Sequence, residues 1–304
     1  MPIINLDENV LKSLEFFIKN KPPKLNLNQF KFPFVVGSGN AYNTGQILFS
    51  SRNAIITDES NFKMKIKAYV PMIKKGVIKE AIIISASGEK DSVWEVELAK
   101  KNKLKTTLLT NSPDSSAAKI SDKVISYRKI AEPYSYNFST YLAMILSATE
   151  EDPKQIVNYL KKLKLPRNFK NYKAYAFVLA DDYAGVRATL WQKDGELFGP
   201  YFSFRSYTEG QARHANFINP WEQELVIGIG IKNKYFGHPK GRWDIDLPKN
   251  AGQAFVFSLA YYLSGKIQES KPPYFKNNIE AYCNDYGPRA YGRTKPFDVI
   301  VPGN

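Results

Sequence analysis

The chain has 304 residues, 43% of them hydrophobic and 24% charged, which is globular composition with room for one large core or, more in keeping with the length, two modest ones. A single cysteine, Cys283, excludes an internal disulfide, and with only His214 and His238 beside it an all-protein metal cluster is not expected. The formal charge of +14 calls for anionic partners, but the lysines are spread over both halves ("KMKIKAY", "KKGVIKE", "LKKLKLPRNFKNYK") with no nucleic-acid module signature beside them.

Val10, Leu11, Leu14, Phe17 and Ile18 recur at helical spacing, so a helix is predicted over 8–20, with Asp7 as its cap. From residue 32 the pattern changes to short β-branched runs: "FPFVVGSGN", "NAIITD", "EAIIISAS", "KTTLLTNS" and "DKVISYR". Helical spacing separates them, as in "DSVWEVELAKKNK", and "YSYNFSTYLAMILSATEE" closes the series. Continuous apolar strands alternating with helices predict a parallel sheet covered on both faces. After a basic helix, "DPKQIVNYLKKLK", the rhythm restarts with "AYAFVLADD", "GVRATLWQK", "PYFSFRS", "EQELVIGIGI", "RWDIDLP" and the long helix "AGQAFVFSLAYYLSG". The expected organisation is a lead-in over 1–31, a first domain over 32–150, a linker helix over 151–172, and a diverged second domain with a Pro- and Gly-rich tail over 173–304. No apolar run reaches membrane-span length and the N-terminus lacks signal-peptide order, so a cytoplasmic protein is expected.

Two loops stand where an open parallel sheet binds ligands, at the carboxyl ends of strands. In "IIISASGEKDS", Ser85, Ser87 and Ser92 precede or open a helix whose first amides attract an anion, and Lys90 adds a full charge. In "VVGSGNAYNTG", Gly37 and Gly39 permit close backbone approach and Asn40 is placed to cap the next helix. Either loop alone is equally well read as a turn with an N-cap and no ligand.

The order of "VVGSGNAYNTG", "IITDESNF" and "IIISASGEKDSVWEVELAKKNKLKTTLLTNSPDSSAAKISDKVI" resembles the sugar-isomerase (SIS) domain family over 32–130. The second half is similar to the diverged second SIS unit of tandem members, through "WQKDGE", "EGQARHANF" and "ELVIGIGI". The resemblance implies two three-layer α/β/α units with mainly parallel sheets, a homodimer, and a phosphorylated sugar as ligand without metal or cofactor. It implies phosphate contacts at Ser85, the Ala86 amide and Ser87, a further polar contact at Gly39 and Asn40, and Lys90 and Ser92 nearby. Ala41 and Lys90 replace hydroxyl residues that many members keep. For isomerisation the resemblance implies Glu196 as base and His214 in ring opening, with Gln211 where a glutamate often stands and Glu209 upstream. The resemblance also implies a tail lysine that reaches the sugar, with Lys295 and Arg293 as competing counterparts. Read without the resemblance, Asp194–Gly195–Glu196 is an exposed turn, His214 a half-buried histidine, and the tail a cover for a sheet edge. "FVLADDYAG" lacks the glycines of the first loop, so one phosphate site per chain is expected. Three functions follow in order: phosphosugar isomerase or amino-sugar-phosphate deaminase, non-catalytic phosphosugar sensor, and nucleic-acid binding as the least supported. No glutaminase segment is read ahead of the SIS units, so glutamine-driven amination within the chain is not expected.

Overall fold

Five of the β-branched runs form one parallel sheet. The computed structural model describes residues 3–304, and these divide into a first unit of 20–129, 140–150 and 304 and a second of 3–19, 130–139 and 151–303. The first helix, α1 (Leu6–Lys19), belongs to the second unit.

The first unit runs β1 (Phe34–Gly37), α2 (Asn40–Leu48), β2 (Ile55–Thr57), α3 (Phe62–Lys74), β3 (Glu80–Ile84), α4 (Asp91–Lys101), β4 (Lys105–Thr110), α5 (Ser116–Ile120) and β5 (Lys123–Ser126). All pairings are parallel, in the order β2-β1-β3-β4-β5. Phe34, Val36, Ala81, Ile83 and Leu108 face α3, α4 and α5 in one core. Val35, Ile56 and Ile84 face the other way, where Gly45 lets α2 approach: a β-carbon there would meet Val35 Cγ1 at 2.9 Å. The sheet is therefore covered on both faces, as its uninterrupted apolar strands require. The strand order reverses between β1 and β3, so the loops leaving these two strands border the crevice of the sheet.

The chain then passes through β6 (Glu132–Pro133), α6 (Phe138–Thr149) and α7 (Pro153–Lys162) into the second sheet. That sheet is built from β7 (Ala174–Leu179), α8 (Ala184–Leu197), β8 (Phe204–Thr208), α9 (Glu209–Ala212), β9 (Glu224–Ile229) and β10 (Arg242–Ile245). Its order, β10-β9-β7-β8, repeats the first four strands of the first unit, again all parallel. The copy is reduced on one face, where Ala176, Val178 and Val226 pack against Ala212, Ile231, Phe236 and Phe217 from α9 and the loops. No α-helix lies between β9 and β10, so the second sheet has no counterpart of α4. The fold class read from the sequence, α/β with two mainly parallel units, is the one found.

The other side of the second unit is helical. α10 (Gln253–Ser270) is buried along nearly its whole length and packs against α1, α7 and α8. Phe257 stacks on Phe138 at 5.2 Å and 6°. Asp7 does not cap α1 as its position suggested; it lies inside the helix and pairs with Lys266 at 2.7 Å. The tail forms α11 (Tyr274–Ala281), a π-helical turn, α12 (Gly287–Ala290) and β11 (Ile300–Val301), which pairs antiparallel with β6. Tyr134 stacks on Phe297 at 5.1 Å and 11°, fastening the tail between α12 and β11. No helix among the described residues is long and apolar enough to cross a membrane.

Two glycines in these helices differ in what a methyl group would meet. A β-carbon at Gly265 would lie 1.9 Å from the Asp7 nitrogen, whereas at Gly195 it would meet nothing within 4 Å. Gly265→Ala is expected to destabilise the chain by about 3 kcal/mol through overpacking of α1 on α10. Gly195→Ala is expected to stabilise it by about 0.5–1 kcal/mol through helix propensity. Urea unfolding of both variants measures the contrast.

Candidate functional site

The loop between β3 and α4 is held by its own hydrogen bonds. Ser85 Oγ accepts from the Gly88 amide at 3.1 Å, and Ser87 Oγ accepts from the Glu89 amide at 3.3 Å. A hydroxyl used as acceptor keeps its own hydrogen to donate outward, so both serines retain a donor for an anion. Ser92 differs: it is buried and its hydroxyl donates to the Glu89 carbonyl at 2.8 Å, closing the loop from within. The Ala86 carbonyl accepts from the Asn111 amide at 3.0 Å and Thr110 Oγ1 at 3.1 Å, which fixes the peptide orientation between the two serines. Gly88 has φ +63° and leaves no space for a side chain, since a β-carbon would sit 1.9 Å from Ser115 Oγ. Glu89 Oε1 accepts from the Ser116 amide at 2.9 Å, tying the loop to α5.

The loop after β1 repeats this geometry. Gly39, before α2, has φ 56° and ψ −120°. Lys90, before α4, has φ 58° and ψ −122°. Neither helix start carries a side-chain cap, so the first amides of both helices remain suited to an anion. Asn40 does not cap α2 as expected; it is the first helical residue, because Gly39 occupies the cap position. Its Oδ1 is buried and has no hydrogen-bond partner. A glycine adopts the conformation of position 39 freely, but a lysine at position 90 does so at a cost of about 1–3 kcal/mol. That cost places an ammonium group where the twin loop has none.

Glu95, one turn into α4, was not singled out by the sequence pattern. It is 1% exposed, and its Oε1 has no hydrogen-bond partner. Burial first, then the charges of Asp91, Glu59 and Asp58, push its carboxyl up to about 8.

In the second unit Glu196 is not in an exposed turn, because α8 continues through Leu197. Its Oε2 accepts from the Nζ of Lys193, and its Oε1 accepts from Gln192 Nε2 at 3.0 Å. The Lys193 side chain is 0% exposed; its Nζ also donates to the Ser135 carbonyl at 2.5 Å and lies 5.6 Å from the centre of the Tyr261 ring. Lys193 precedes Glu196 by one helical turn, the i, i+3 spacing that signals a pair on one face. The sequence reading missed it because a lysine in a lysine-rich chain looks like solvated surface.

His214 is exposed, beyond α9, and lines a cavity of about 560 Å³ with Arg187, Trp191 and Asp194. Those three residues occupy the side of α8 opposite Lys193 and Glu196, at 100° per residue. One chain therefore does not bring His214 to Glu196. Gln211 belongs to a capping box with Thr208, which explains a glutamine there without any ligand. Glu209 pairs with Arg213 at 3.3 Å. Lys295 and Arg293 are both exposed in the tail between α12 and β11.

No family model and no curated protein matches the sequence. Solved structures do match. The chain is similar to the C-terminal domain of glucosamine-fructose-6-phosphate aminotransferase from Francisella tularensis, with 13% identity, TM-score 0.59, and coverage of 88% of this chain and 94% of that one. It is similar to tagatose-6-phosphate ketose/aldose isomerase from Escherichia coli, with 13% identity, TM-score 0.58 and coverage of 86% and 88%. A third is glucosamine-6-phosphate deaminase from Thermotoga maritima, with 15% identity, TM-score 0.54 and coverage of 87% and 91%. At such identities the shared property is the fold, which is the fold the SIS resemblance implied.

The site geometry generates two measurements. Lys90→Gly is expected to raise stability by about 1 kcal/mol by relieving the backbone, while weakening phosphate binding; denaturation and calorimetry read the two effects separately. Glu95 holds a proton in the folded chain that the unfolded chain releases near 4.5, the ordinary value. Its contribution to stability is therefore full below pH 4.5 and is lost as pH rises through about 8. Glu95→Gln is expected to flatten this decline and to stabilise the chain at pH 8 by on the order of a few kcal/mol, as followed by urea unfolding across pH.

Proposed function

We propose that the chain binds a sugar phosphate and interconverts its aldose and ketose forms. The observation that carries this is the first-unit cradle, where two serine hydroxyls with unspent hydrogens stand between uncapped helix starts. Ser85 and Ser87 donate to the phosphate oxygens, Lys90 supplies charge, and Asn40 and the Gly39 turn supply further polar contact. The solved structures of similar fold, a ketose/aldose isomerase among them, support a sugar-phosphate ligand for this cradle.

Isomerisation needs a base that moves a proton between adjacent carbons and a group that stabilises the enediolate oxygen. Glu196 is the base. Lys193, donating to the same carboxylate from within the fold, orients it and stands ready to donate to a developing oxyanion. His214 opens the sugar ring in a homodimer, in which one copy's imidazole serves the other copy's site. Lys295 in the exposed tail is the remaining proton carrier; arginine does not readily give up a proton, which leaves Arg293 to bind charge only.

A second reading, phosphosugar binding without turnover, is favoured by one observation: both Glu196 oxygens are already engaged, by Lys193 and Gln192. Nuclear magnetic resonance of fructose 6-phosphate, glucosamine 6-phosphate and mannose 6-phosphate separates the two. Turnover that falls about 10²–10⁴-fold in Glu196→Gln identifies the enzyme; protection against melting with no interconversion identifies the sensor. Because a neutral amide leaves Lys193 buried without its carboxylate, Glu196→Gln also loses about 3 kcal/mol of stability. The folded control is Lys193→Met with Glu196→Gln. Mixing Glu196→Gln chains with His214→Asn chains is expected to restore about a quarter of wild-type activity, because half the dimers are mixed and each has one intact site.

A further inference from the structure

Arg187 is half-buried on α8, and its Nε is fully buried without a hydrogen-bond partner. Its guanidinium lines the cavity of about 560 Å³ along β8, the edge strand of the second sheet. A guanidinium nitrogen taken out of water without a partner is a cost that a structure ordinarily offsets with a hydrogen-bond acceptor. None of the cavity's own groups offsets it. Asp194 is not within ion-pair distance of Arg187, and it accepts from the Phe204 amide at 2.8 Å. Glu224 is fully engaged from outside by Arg205, whose Nη2 reaches both carboxylate oxygens at 2.8 Å. Arg205 is thereby neutralised and fixed, and its Nη1 donates to the Asn216 carbonyl at 2.7 Å. The Ser206 hydroxyl is spent on the Arg187 carbonyl at 3.2 Å, so the His214 ring is the donor that stands beside Arg187 in the cavity lining. Trp191, 71% exposed, forms the outer wall.

We propose that this cavity is a second anion site, in which Arg187 holds a phosphate or phosphate-ester group with His214 beside it and Trp191 over it. It is separate from the serine cradle: it lies in the other unit, uses an arginine fork in place of hydroxyls and helix amides, and needs no helix start. It does not depend on the isomerase assignment. The part of the Arg187 guanidinium that stays accessible is complementary to an oxyanion by geometry as well as charge, since its planar donors match two oxygens at once. Because His214 lines the same cavity, an anion bound there sits against the imidazole assigned to ring opening.

The test is titration with inorganic phosphate of the wild-type chain, a Ser85→Ala/Ser87→Ala variant and an Arg187→Met variant, followed by calorimetry and by tryptophan emission. The expected result is a phosphate-binding event that survives in the serine variant, perturbs Trp191 emission, and weakens at least about tenfold in Arg187→Met. Trp191→Phe assigns the emission change, and thermal melting confirms that Arg187→Met is folded. Loss of all phosphate binding in the serine variant overturns the proposal, as does equal binding by Arg187→Met and its parent. If Arg187→Met turns dimer into monomer while phosphate leaves Trp191 emission unchanged, a carboxylate of a second copy fills the cavity and the proposal is likewise overturned. Failure of the sugar-phosphate assignment has a different signature, namely unaltered phosphate binding when only Ser85 and Ser87 are replaced and only Arg187 binds.

Discussion

The close approach of Gly88 to Ser115 fixes the loop at the carboxyl end of β3 in the first unit. With no side chain at position 88, the serine that caps α5 presses directly against the loop that starts α4. The Ala117 amide donates to the Gly88 carbonyl at 2.9 Å and Glu89 caps α5 in return. A phosphate cradle needs donors that are already in place before the anion arrives, because ordering them on binding would consume the affinity they supply. Here the loop is rigid through backbone packing, and the hydroxyls of Ser85 and Ser87 are left as the outward-facing part.

The two units show how a duplicated fold divides its work. Both sheets have the same order over their first four strands, yet only the first keeps a helix after the third strand. Without that helix the second sheet has no helix amides after its third strand, and charged groups of that unit sit on side chains of α8. Lys193 and Glu196 lie on one side of α8, and Arg187 and Asp194 on the other. α8 has almost no overall apolar stripe because each side combines buried carbon with a buried charge, an arrangement that specifies pairing more than it adds stability.

Much of the fold was legible from periodicity. The runs at 34–37, 55–57, 80–84 and 105–110 are all strands, and the helix over 8–20 matches α1 closely. What was hidden depended on long-range pairing. Asp7 reads as a cap until Lys266 is seen beside it, and the partnership of α1 with α10 has no local signal. The end of β3 at the serine loop was legible because the apolar run stops at Ile84 and serine and glycine follow it. Lys193, Arg187 and Glu95 were not, since burial of a charged residue is decided by what packs over it. Glu196 was read as a residue of interest, but its helix was obscured by Gly195, which looks like a turn and is a helical position with space to spare.

The placement of α1 has a consequence for biosynthesis. Leu6 hands its amide to Gln268, a residue 262 positions further on. Val10, Leu14 and Phe17 are shielded in the finished protein, largely by the helix that contains that glutamine. At ribosomal speeds of about 5–20 residues per second, their cover emerges roughly 13–50 seconds after they do. During that interval the nascent chain displays a greasy stripe, and the first unit has time to mature before its neighbour can close.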